Sequence, residues 1–454
     1  MSELPNDKKP KQWKVGTLTY SSSGIVILFA WLLLGDFSWS MRDRSVGPMS
    51  QWFLDQQNVS SLLFALLVSS FPALIGMFLG PYISVKSDRH RGRWGRRIPF
   101  LLVTTPLAAM GMIGLGVTPI IASWVHSHFP DQSSMMISVI CFGVFWAAFE
   151  VATVTSQAVF GGLINDVVPE KLLGRFYGLF RAVSLIDGIL FNYWIMGKVP
   201  DHFTLLLVTV GLIYGVSFTL VCFKVKEGEY PPPPPKSEEH GLASATSGVK
   251  QYLKECFSNP YYLFIFFMLM AAQLSFMPIN VFAIPYARSL GVNMDVYGKY
   301  LALTFFISLC LAYFLGWLSD KYHPLRIVIA SVTGYVLVTA WGWFYADTAQ
   351  TFLIAWVLHG VLSGCYFTSA ASLPLRLFPH NKFAQFASAA GIIYAPASML
   401  MAPLMGTVID VSGKVYQYTF AMGCLLAIFA FCSALFVHAR FLKLGGPNHY
   451  VAPE

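Results

Sequence analysis

Three acids and one arginine stand out inside long apolar stretches of the sequence: Asp36, Glu150, Asp187 and Arg181. An ionisable side chain in such a stretch costs free energy unless a partner or water reaches it, which makes it a candidate for function. Burial disfavours the charged form of a carboxylate, and a nearby arginine favours it. An acid held between these two influences can bind and release a proton near neutral pH. The chemistry predicted for these residues is therefore reversible proton binding.

An ion pair is the arrangement expected for the arginine. We expect Arg181 to pair with Glu150, because an arginine inside a span needs a counter-ion. Asp187 or Asp36 then remains as the more freely titrating acid. Asp36 has a second interpretation, since it lies shortly before a charged stretch and could belong to an external charge cluster with Asp43. For each residue, the alternative to proton binding is a static polar network that holds helices together.

Neutral hydrogen-bonding and aromatic residues in other apolar stretches form a second candidate group. Such side chains suit a solute rich in hydroxyl groups, because amides donate and accept hydrogen bonds and aromatic rings stack on apolar faces. His359 could also titrate, although a lone histidine on a helix is more often a satisfied donor. The candidate solute-binding residues are Trp31, Trp146, Asn192, Gln273, Asn280, His359, Tyr366 and Tyr394, with Phe276 as a further stacking residue.

The composition places these residues in membrane-spanning helices. Of the 454 residues, 56% are hydrophobic and 11% are charged, and the mean hydropathy is +0.60. A soluble domain carries about 25% charged residues, so a soluble protein is excluded. Backbone groups in hydrocarbon must be hydrogen-bonded within the segment, which makes each span a helix. We predict an all-α membrane protein with twelve spans, at 20–41, 60–84, 98–121, 134–163, 174–197, 203–224, 258–286, 296–318, 325–346, 350–376, 384–410 and 416–441.

The distribution of basic residues predicts the orientation of these spans. Most of the 30 Lys and Arg residues lie in the tails and in the connections after even-numbered spans. Cationic residues accumulate on the cytoplasmic side, so both termini are expected in the cytoplasm of a plasma-membrane protein, or of an inner-membrane protein in a bacterium. Arg42 and Arg44 follow the first span and are expected in an outside loop.

One polar connection divides the chain into two halves. Residues 225–257 contain five consecutive prolines at 231–235, which favour an extended spacer. The predicted organisation is a six-helix domain at 1–224, a cytoplasmic linker at 225–257 and a second six-helix domain at 258–454. Two six-helix halves are the arrangement of a transporter built from repeats.

A short arginine-rich segment, SDRHRGRWGRRIPF at 87–100, follows the second span. It resembles the loop 2–3 signature of the major facilitator superfamily. Its fuller pattern looks like the version in plant sucrose transporters and their animal relatives, and is similar to that of the glycoside-pentoside-hexuronide:cation symporters. A second copy, SDKYHPLR at 319–326, retains Asp320 but lacks the Gly-Arg-Arg ending. The residues of the first copy that carry the resemblance are Asp88, Arg89, Gly95, Arg96 and Arg97.

The resemblance implies a major facilitator fold in which helices 1, 4 and 5 line a central cavity, so that the three acids face one aqueous space. Asp88 can bond to nearby arginines or lie against a helix N-terminus, and breaking such a cluster would let the arginine-rich loop act as a gate, a role that the resemblance favours. The alternative is that the loop only anchors the cytoplasmic ends of two helices.

The function expected from the residues and the resemblance together is proton-coupled transport of a small polar solute, with a sugar or glycoside as the leading candidate, by alternating access. Sodium is an alternative coupling ion. Two competing functions are a facilitator or exporter of a drug, nucleoside or peptidoglycan fragment, and a membrane sensor or scaffold that does not transport. No enzyme motif is present in the sequence, and we expect no cofactor, no metal site and no nucleic-acid partner. The expected partners are the solute, the proton and the lipid bilayer, with the protein as a monomer.

Overall fold

A computed structural model describes residues 12–232, 252–379 and 382–453 of the protein. Long helices make up most of this part of the chain. In chain order they are α1 (Ser22–Gln56), α2 (Ser61–Arg89), α3 (Ile98–His128), α4 (Ser134–Val167), α5 (Glu170–Leu190), α6 (Val199–Lys224), α7 (Pro260–Ser289), α8 (Met294–Tyr322), α9 (Pro324–Tyr345), α10 (Ala349–Ala370), α11 (Phe383–Val411) and α12 (Tyr418–Lys443). Strands Trp13–Val15 (β1) and Leu18–Tyr20 (β2) form a small antiparallel hairpin before α1.

The length and hydropathy of these helices are those of membrane spans. Eleven helical stretches of the described residues are long and apolar enough to cross a membrane. One of them, Glu170–Lys224, contains both α5 and α6, which correspond to two of the twelve predicted spans. The prediction of an all-α, multi-pass membrane protein is therefore confirmed.

The chain divides into two compact units. The first contains the chain up to Val46, the segment Ile75–Gly188 and the segment that begins at His202 and includes α6. The second contains Gly47–Leu74, Ile189–Asp201 and α7 to α12. The division at 1–224, 225–257 and 258–454 remains a prediction, and residues 233–251 of the predicted linker, including three of its prolines, lie outside the described residues.

Helix α1 is longer than the sequence predicted. It continues past residue 41 to Gln56, so Arg42 and Arg44 lie within a helix and not in an outside loop. Arg42 is completely buried. The predicted end was wrong because the apolar stretch and the helix end at different residues. A charged residue ends an apolar stretch, but the helix continues where protein covers its charged side.

Close backbone approach holds helix pairs together within each unit. In the first unit, a Cβ atom at Gly114 of α3 would collide with the ring of Phe145 on α4. In the second unit, a Cβ atom at Gly406 of α11 would lie 2.5 Å from the carbonyl oxygen of Ser61 at the start of α2. Small residues at such contacts allow helices to pack closely in a membrane.

The start of α2 is also bound by an acid of α11. The two carboxylate oxygens of Asp410 accept hydrogen bonds from the backbone N–H groups of Ser61 (2.9 Å) and Leu62 (3.0 Å). Lys414 donates to Asp410 Oδ1 at 2.8 Å and to Ser61 Oγ at 2.9 Å. An anion is favourable at a helix N-terminus because the unpaired N–H groups and the helix dipole are positive there.

A single histidine joins α8 to α9. His323 has a φ of 75°, and its Nδ1 atom accepts a hydrogen bond from the backbone N–H of Leu325 at 3.3 Å. Burial, followed by the charges of Arg376 and Arg326, lowers the pKa of His323 to about 4. The neutral imidazole is therefore the form that caps α9.

Candidate functional site

A fully buried arginine on α1 is the centre of the charged residues in the first unit. Arg42 binds the carboxylate of Asp43 through Nη2 (2.6 Å) and Nε (3.2 Å), while its Nη1 atom makes no hydrogen bond. Its guanidinium lies over the ring of Trp39 at 3.9 Å and near the ring of Tyr214 at 5.4 Å. The aromatic faces stabilise the cation by cation–π attraction. Arg42 is thus held in place with one nitrogen still able to bind an acceptor.

The acids of α4 and α5 each lie near one arginine of α1. The charge of Arg42 acts on Glu150, and the charge of Arg44 acts on Asp187. Arg44 also donates from Nη2 to Ser184 Oγ on α5 at 3.2 Å. Residues two apart on a helix point about 200° away from each other. This spacing explains how α1 places one arginine towards α4 and the other towards α5.

All three predicted acids are buried. Glu150 is 8% exposed, Asp187 is 3% exposed and Asp36 is not exposed. Asp36 accepts a hydrogen bond from Ser40 Oγ at 3.4 Å, but its second oxygen and one oxygen of Asp187 are buried without a hydrogen bond. Among the ion pairs formed by the described residues, none includes Glu150 or Asp187. These acids lie in the field of arginines without being bound to them.

The expected Glu150–Arg181 ion pair does not form among the described residues. Arg181 lies on an exposed side of α5, whereas Glu150 faces the buried side of α4. Arg42 takes the position expected for Arg181. Arg42 was missed because the sequence pattern assigned it to a loop; the signal available was its position six residues after Asp36, on the continuation of the same helix.

The other candidates of the first half are divided between the units. Trp31 is half-buried on α1, and Trp146 is buried on α4, where its ring stacks on Phe142 at 5.6 Å. Asn192 is buried in the π-helical turn that follows α5, and this turn belongs to the second unit. Trp146 therefore packs within an aromatic core, while Trp31 keeps part of its surface exposed.

The second unit contains a neutral hydrogen-bond chain around His359. Tyr335 Oη donates to the carbonyl of Ser275 at 3.1 Å and lies 2.8 Å from His359 Nδ1. On the other side of the ring, His359 Nε2 lies 3.0 Å from Asn280 Oδ1. The imidazole therefore contacts a hydroxyl through Nδ1 and an amide oxygen through Nε2, and its tautomer sets which ring nitrogen donates. This series of hydrogen bonds orients Asn280, which is exposed.

Aromatic residues enclose this chain. Trp356 stacks on His359 with ring centroids 5.3 Å apart, and Phe276 contacts both Tyr335 at 4.6 Å and Tyr366 at 5.4 Å. Tyr366 is buried. The remaining candidates Gln273 and Tyr394, on α7 and α11, are half-buried.

The arginine-rich loop joins the ends of three helices in the first unit. Arg96 binds Asp166 near the end of α4 through two bonds, of 2.5 and 2.9 Å. Arg97 binds the same carboxylate through Nε at 3.2 Å and binds Asp88 of α2 through Nη2 at 2.5 Å. A Cβ atom at Gly162 would lie 2.8 Å from the Arg97 guanidinium carbon, so this glycine makes room for the arginine. Asp166, whose place at a span end suggests only a cap or loop charge, is the shared partner of both arginines.

An acid from beyond α6 completes the loop. Glu227 accepts hydrogen bonds from the backbone N–H groups of Arg96 (2.9 Å), Arg97 (2.8 Å) and Ile98 (2.7 Å), which open α3. It also accepts from the hydroxyl of Tyr230 at 2.7 Å. Burial and the adjacent Glu227 carboxylate raise the pKa of Tyr230, so the phenol remains a donor. Glu227 lies in the predicted linker and was missed, although an acid beyond α6 is a natural partner for an arginine-rich loop.

The geometry of the loop explains its glycine. Gly95 has a φ of +99°, a conformation that favours glycine, and a Cβ atom there would lie 2.5 Å from the carboxyl carbon of Glu227. Arg89 is exposed at the end of α2. Asp320 lies on α8, but its side chain is outside the part of the structure that is described. The first loop therefore has a complete bonding network, and the role of the second copy remains a prediction.

The chain is similar to known proteins both in sequence and in fold. Residues 265–449 match the sequence model of the Major Facilitator Superfamily. A bacterial homologue of the iron transporter ferroportin, in the inward-facing state, is 14% identical, with 91% of this chain and 99% of that chain covered and a TM-score of 0.66. A bacterial homologue of the human lysosomal transporter Spinster, inward-facing and occupied, is 13% identical, with coverage of 95% and 99% and a TM-score of 0.65. The D-xylose-proton symporter is 15% identical, with coverage of 89% and 96% and a TM-score of 0.62. No protein with a curated function matches the chain in sequence.

The chain has the major facilitator fold. At this level of identity the solved structures share the fold only, and the family match, at residues 265–449, covers less than half of the 454-residue chain. Both findings are likenesses to the Major Facilitator Superfamily. The neighbours with this fold include proteins named for sugars, nucleosides, iron and peptides, so the major facilitator fold does not select the solute.

Proposed function

We propose that the protein is a symporter that moves a hydroxyl-rich solute, a sugar or glycoside, together with a proton by alternating access. Glu150 and Asp187 are the proton-binding groups, with Asp36 as a third acid near Asp187. Arg42 and Arg44 supply the opposing charges. The site lies in the plasma membrane, with both termini cytoplasmic.

The observation that carries the proposal is the state of Arg42 and Glu150. Arg42 is completely buried and bonded to Asp43, yet its Nη1 atom has no acceptor. Glu150 is buried nearby and takes part in none of the described ion pairs. A buried charge without a partner is costly. Glu150 can avoid this cost in both protonation states, because the protonated acid is neutral and the deprotonated acid is balanced by the charge of Arg42.

The coupling step follows from this geometry. When Glu150 carries a proton it is neutral, and Arg42 is balanced by Asp43 alone. When Glu150 loses the proton, the free Nη1 of Arg42 provides a donor for the new carboxylate. The two arrangements differ in whether Arg42 binds Glu150 in addition to Asp43, so proton binding can be linked to a change in the packing of α1 against α4.

The solute class rests on the second unit. Asn280 is exposed and held by His359, and its amide can donate and accept. Tyr394 and Gln273 add a hydroxyl and an amide. These groups are neutral, which favours an uncharged, hydroxyl-rich solute over an ion. The sugar assignment is also supported by the resemblance of the arginine-rich loop at 87–100 to that of sucrose transporters.

The test uses purified protein in proteoliposomes. A thermal-shift screen of sugars, glycosides, nucleosides and peptides first identifies the solute. Accumulation driven by an imposed proton gradient is then compared with solute exchange at equilibrium, for the wild type and Glu150→Gln. The proposal predicts that Glu150→Gln loses accumulation and retains exchange. Asp131→Asn, in the exposed connection between α3 and α4, is the matched acid control and should accumulate normally.

The competing functions give different results in the same assay. Accumulation by Glu150→Gln at the wild-type level would remove Glu150 from the coupling role. Exchange without accumulation in the wild type would indicate a facilitator, and accumulation that follows sodium in place of protons would indicate the other cation. Absence of flux with every solute that binds would favour a sensor or scaffold.

A further inference from the structure

A basic cleft lies in the first unit, away from the buried acids and from the arginine-rich loop. It has a volume of about 710 Å³ and is formed by the hairpin that precedes α1 and by the first turns of α5. Its lining residues are Gln12, Trp13, Lys14, Pro169, Glu170, Lys171, Leu172 and Arg175. No step of the proposed transport mechanism uses these residues.

The charge of the cleft is positive and uncompensated. Lys14, Lys171 and Arg175 are exposed, and Glu170 is the single acid among the lining residues. Within the described residues, none of the three cations takes part in an ion pair. Other arginines of this unit form ion pairs with acids, as Arg96 does with Asp166. The cleft therefore differs from the structural charge pairs of the same protein.

The walls of the cleft are held in place by other contacts. The hairpin is fixed by a hydrogen bond from the backbone N–H of Glu229 to Thr17 Oγ1 at 2.8 Å. Phe29 of α1 packs edge-on against Phe176 of α5 with ring centroids 5.0 Å apart, so these helix ends lie side by side. The cations are thus presented by two elements that are already joined, and a ligand does not have to assemble the cleft.

We propose that this cleft binds the phosphate group of an anionic phospholipid. Lys14 lies on the hairpin that precedes α1, and Lys171 and Arg175 lie in the first turns of α5; both helices belong to stretches long and apolar enough to cross a membrane. This end of the two helices is the one that the distribution of basic residues predicts to be cytoplasmic, where anionic lipids attract clusters of basic residues. Trp13 is half-buried in the wall, and tryptophan is favoured at the membrane–water boundary.

A lipid fits the cleft better than a soluble anion. A phosphodiester headgroup carries one negative charge beside glycerol hydroxyls or esters, which matches three cations, one acid and the amide of Gln12. The half-buried ring of Trp13 gives the wall an apolar side, against which the first carbons of an acyl chain can lie. Inorganic phosphate could use the cations but not the apolar wall.

The experiment counts lipids bound to the full-length protein. The protein is purified in a nonionic detergent, titrated with short-chain phosphatidylglycerol or phosphatidylcholine, and examined by native mass spectrometry. The test variant combines Lys14→Gln, Lys171→Gln and Arg175→Gln. The matched control combines Lys86→Gln, Lys321→Gln and Lys443→Gln, which remove three basic residues at other helix ends predicted to be cytoplasmic.

The proposal predicts one tight phosphatidylglycerol in the wild type and in the control, with much weaker phosphatidylcholine binding. A basic residue near an anionic headgroup contributes roughly five-fold in affinity, so the test variant should bind this lipid on the order of 100-fold more weakly. A charge-retaining variant, Lys14→Arg with Lys171→Arg, should bind as the wild type does, which separates loss of charge from loss of folding.

Three results would overturn the proposal. Equal phosphatidylglycerol affinity in the test variant and the control would show that the cleft is not the site. Equal affinity for the two lipids in the wild type would show that the charge is not recognised. Competition by inorganic phosphate at a concentration similar to that of the lipid would assign the cleft to a soluble anion.

Discussion

Replacing Glu227 tests whether a residue beyond α6 fixes the arginine-rich loop. In the structure its two oxygens accept three backbone hydrogen bonds, from Arg96, Arg97 and Ile98, at 2.7 to 2.9 Å. Glu227→Ala leaves these N–H groups without an acceptor and removes the negative charge from the start of α3. Glu227→Gln keeps one acceptor oxygen, removes the charge and replaces the other oxygen by an NH2 group, which cannot accept a hydrogen bond.

The size of the effect follows from known capping energies. Loss of a side chain that caps a helix N-terminus costs about 0.5–2 kcal/mol, and loss of a charge that complements the helix dipole costs a further ~0.3–1 kcal/mol. We therefore expect Glu227→Ala to destabilise the closed loop by about 2 kcal/mol, and Glu227→Gln by about 1 kcal/mol. These values correspond to roughly 30-fold and 5-fold changes in the equilibrium for local opening.

Hydrogen–deuterium exchange followed by mass spectrometry measures this opening directly. Peptides covering residues 96–101 should exchange roughly 30-fold faster in Glu227→Ala and 5-fold faster in Glu227→Gln. Glu229→Ala is the matched control, since its carboxylate is exposed two residues further along and makes none of the described hydrogen bonds or ion pairs. Unchanged exchange in Glu227→Ala, or equal acceleration in Glu229→Ala, would refute the capping role.

Three further predictions concern other parts of the molecule. Arg96→Ala with Arg97→Ala should lower the maximal transport rate more than it weakens solute binding, because all three hydrogen bonds to Asp166 are lost; an unchanged rate would reduce the loop to an anchor. Asp410→Asn removes a charge worth about 1 kcal/mol at the start of α2, so exchange of residues 61–65 should rise roughly 5-fold, and equal exchange would contradict the capping role. Lowering the pH from 6.5 to 4 should lower the unfolding temperature of the wild type more than that of His323→Asn. The reason is that the pKa of His323 is about 4 in the folded state and about 6.5 in the unfolded state. Protons therefore bind preferentially to the unfolded state in this range of pH. Parallel pH profiles would exclude His323 as the cause.

The spans were predictable because hydrocarbon sets a simple rule. An apolar stretch of about 20 residues is needed to cross the bilayer, and eleven such stretches are found among the described residues, one of them containing two helices. The rule fails where protein replaces lipid. Arg42 ended the first predicted span, but its charge is covered by Trp39, Asp43 and Tyr214, so α1 continues to Gln56.

The residues of the site were predictable by type but not by partner. Glu150, Asp187 and Asp36 were identified because acids are rare in apolar stretches. The partner of Glu150 was not predictable, because Arg181 and Arg42 are both arginines. The direction in which each side chain points depends on how α5 and α1 are rotated about their axes. Rotation is set by packing between helices, which one sequence does not record.

The partners of the arginine-rich loop could not be predicted from the sequence either, because they lie far away along the chain. The sequence supplied Asp88 and the arginines of the motif, and Asp88 does bind Arg97. It gave no reason to connect Arg96 to Asp166 or to Glu227, which are 70 and 131 residues away. Contacts between residues so far apart follow from the order in which helices pack, and only the structure contains this information.

Proton binding that accompanies solute binding tests the central claim most directly. The purified protein is placed in weakly buffered detergent solution with a pH-sensitive dye, and the solute found in the screen is added. The account predicts that the wild type and Asp131→Asn take up or release protons when the solute binds, and that Glu150→Gln binds the solute with this proton signal largely lost. An equal proton signal in Glu150→Gln would contradict the account.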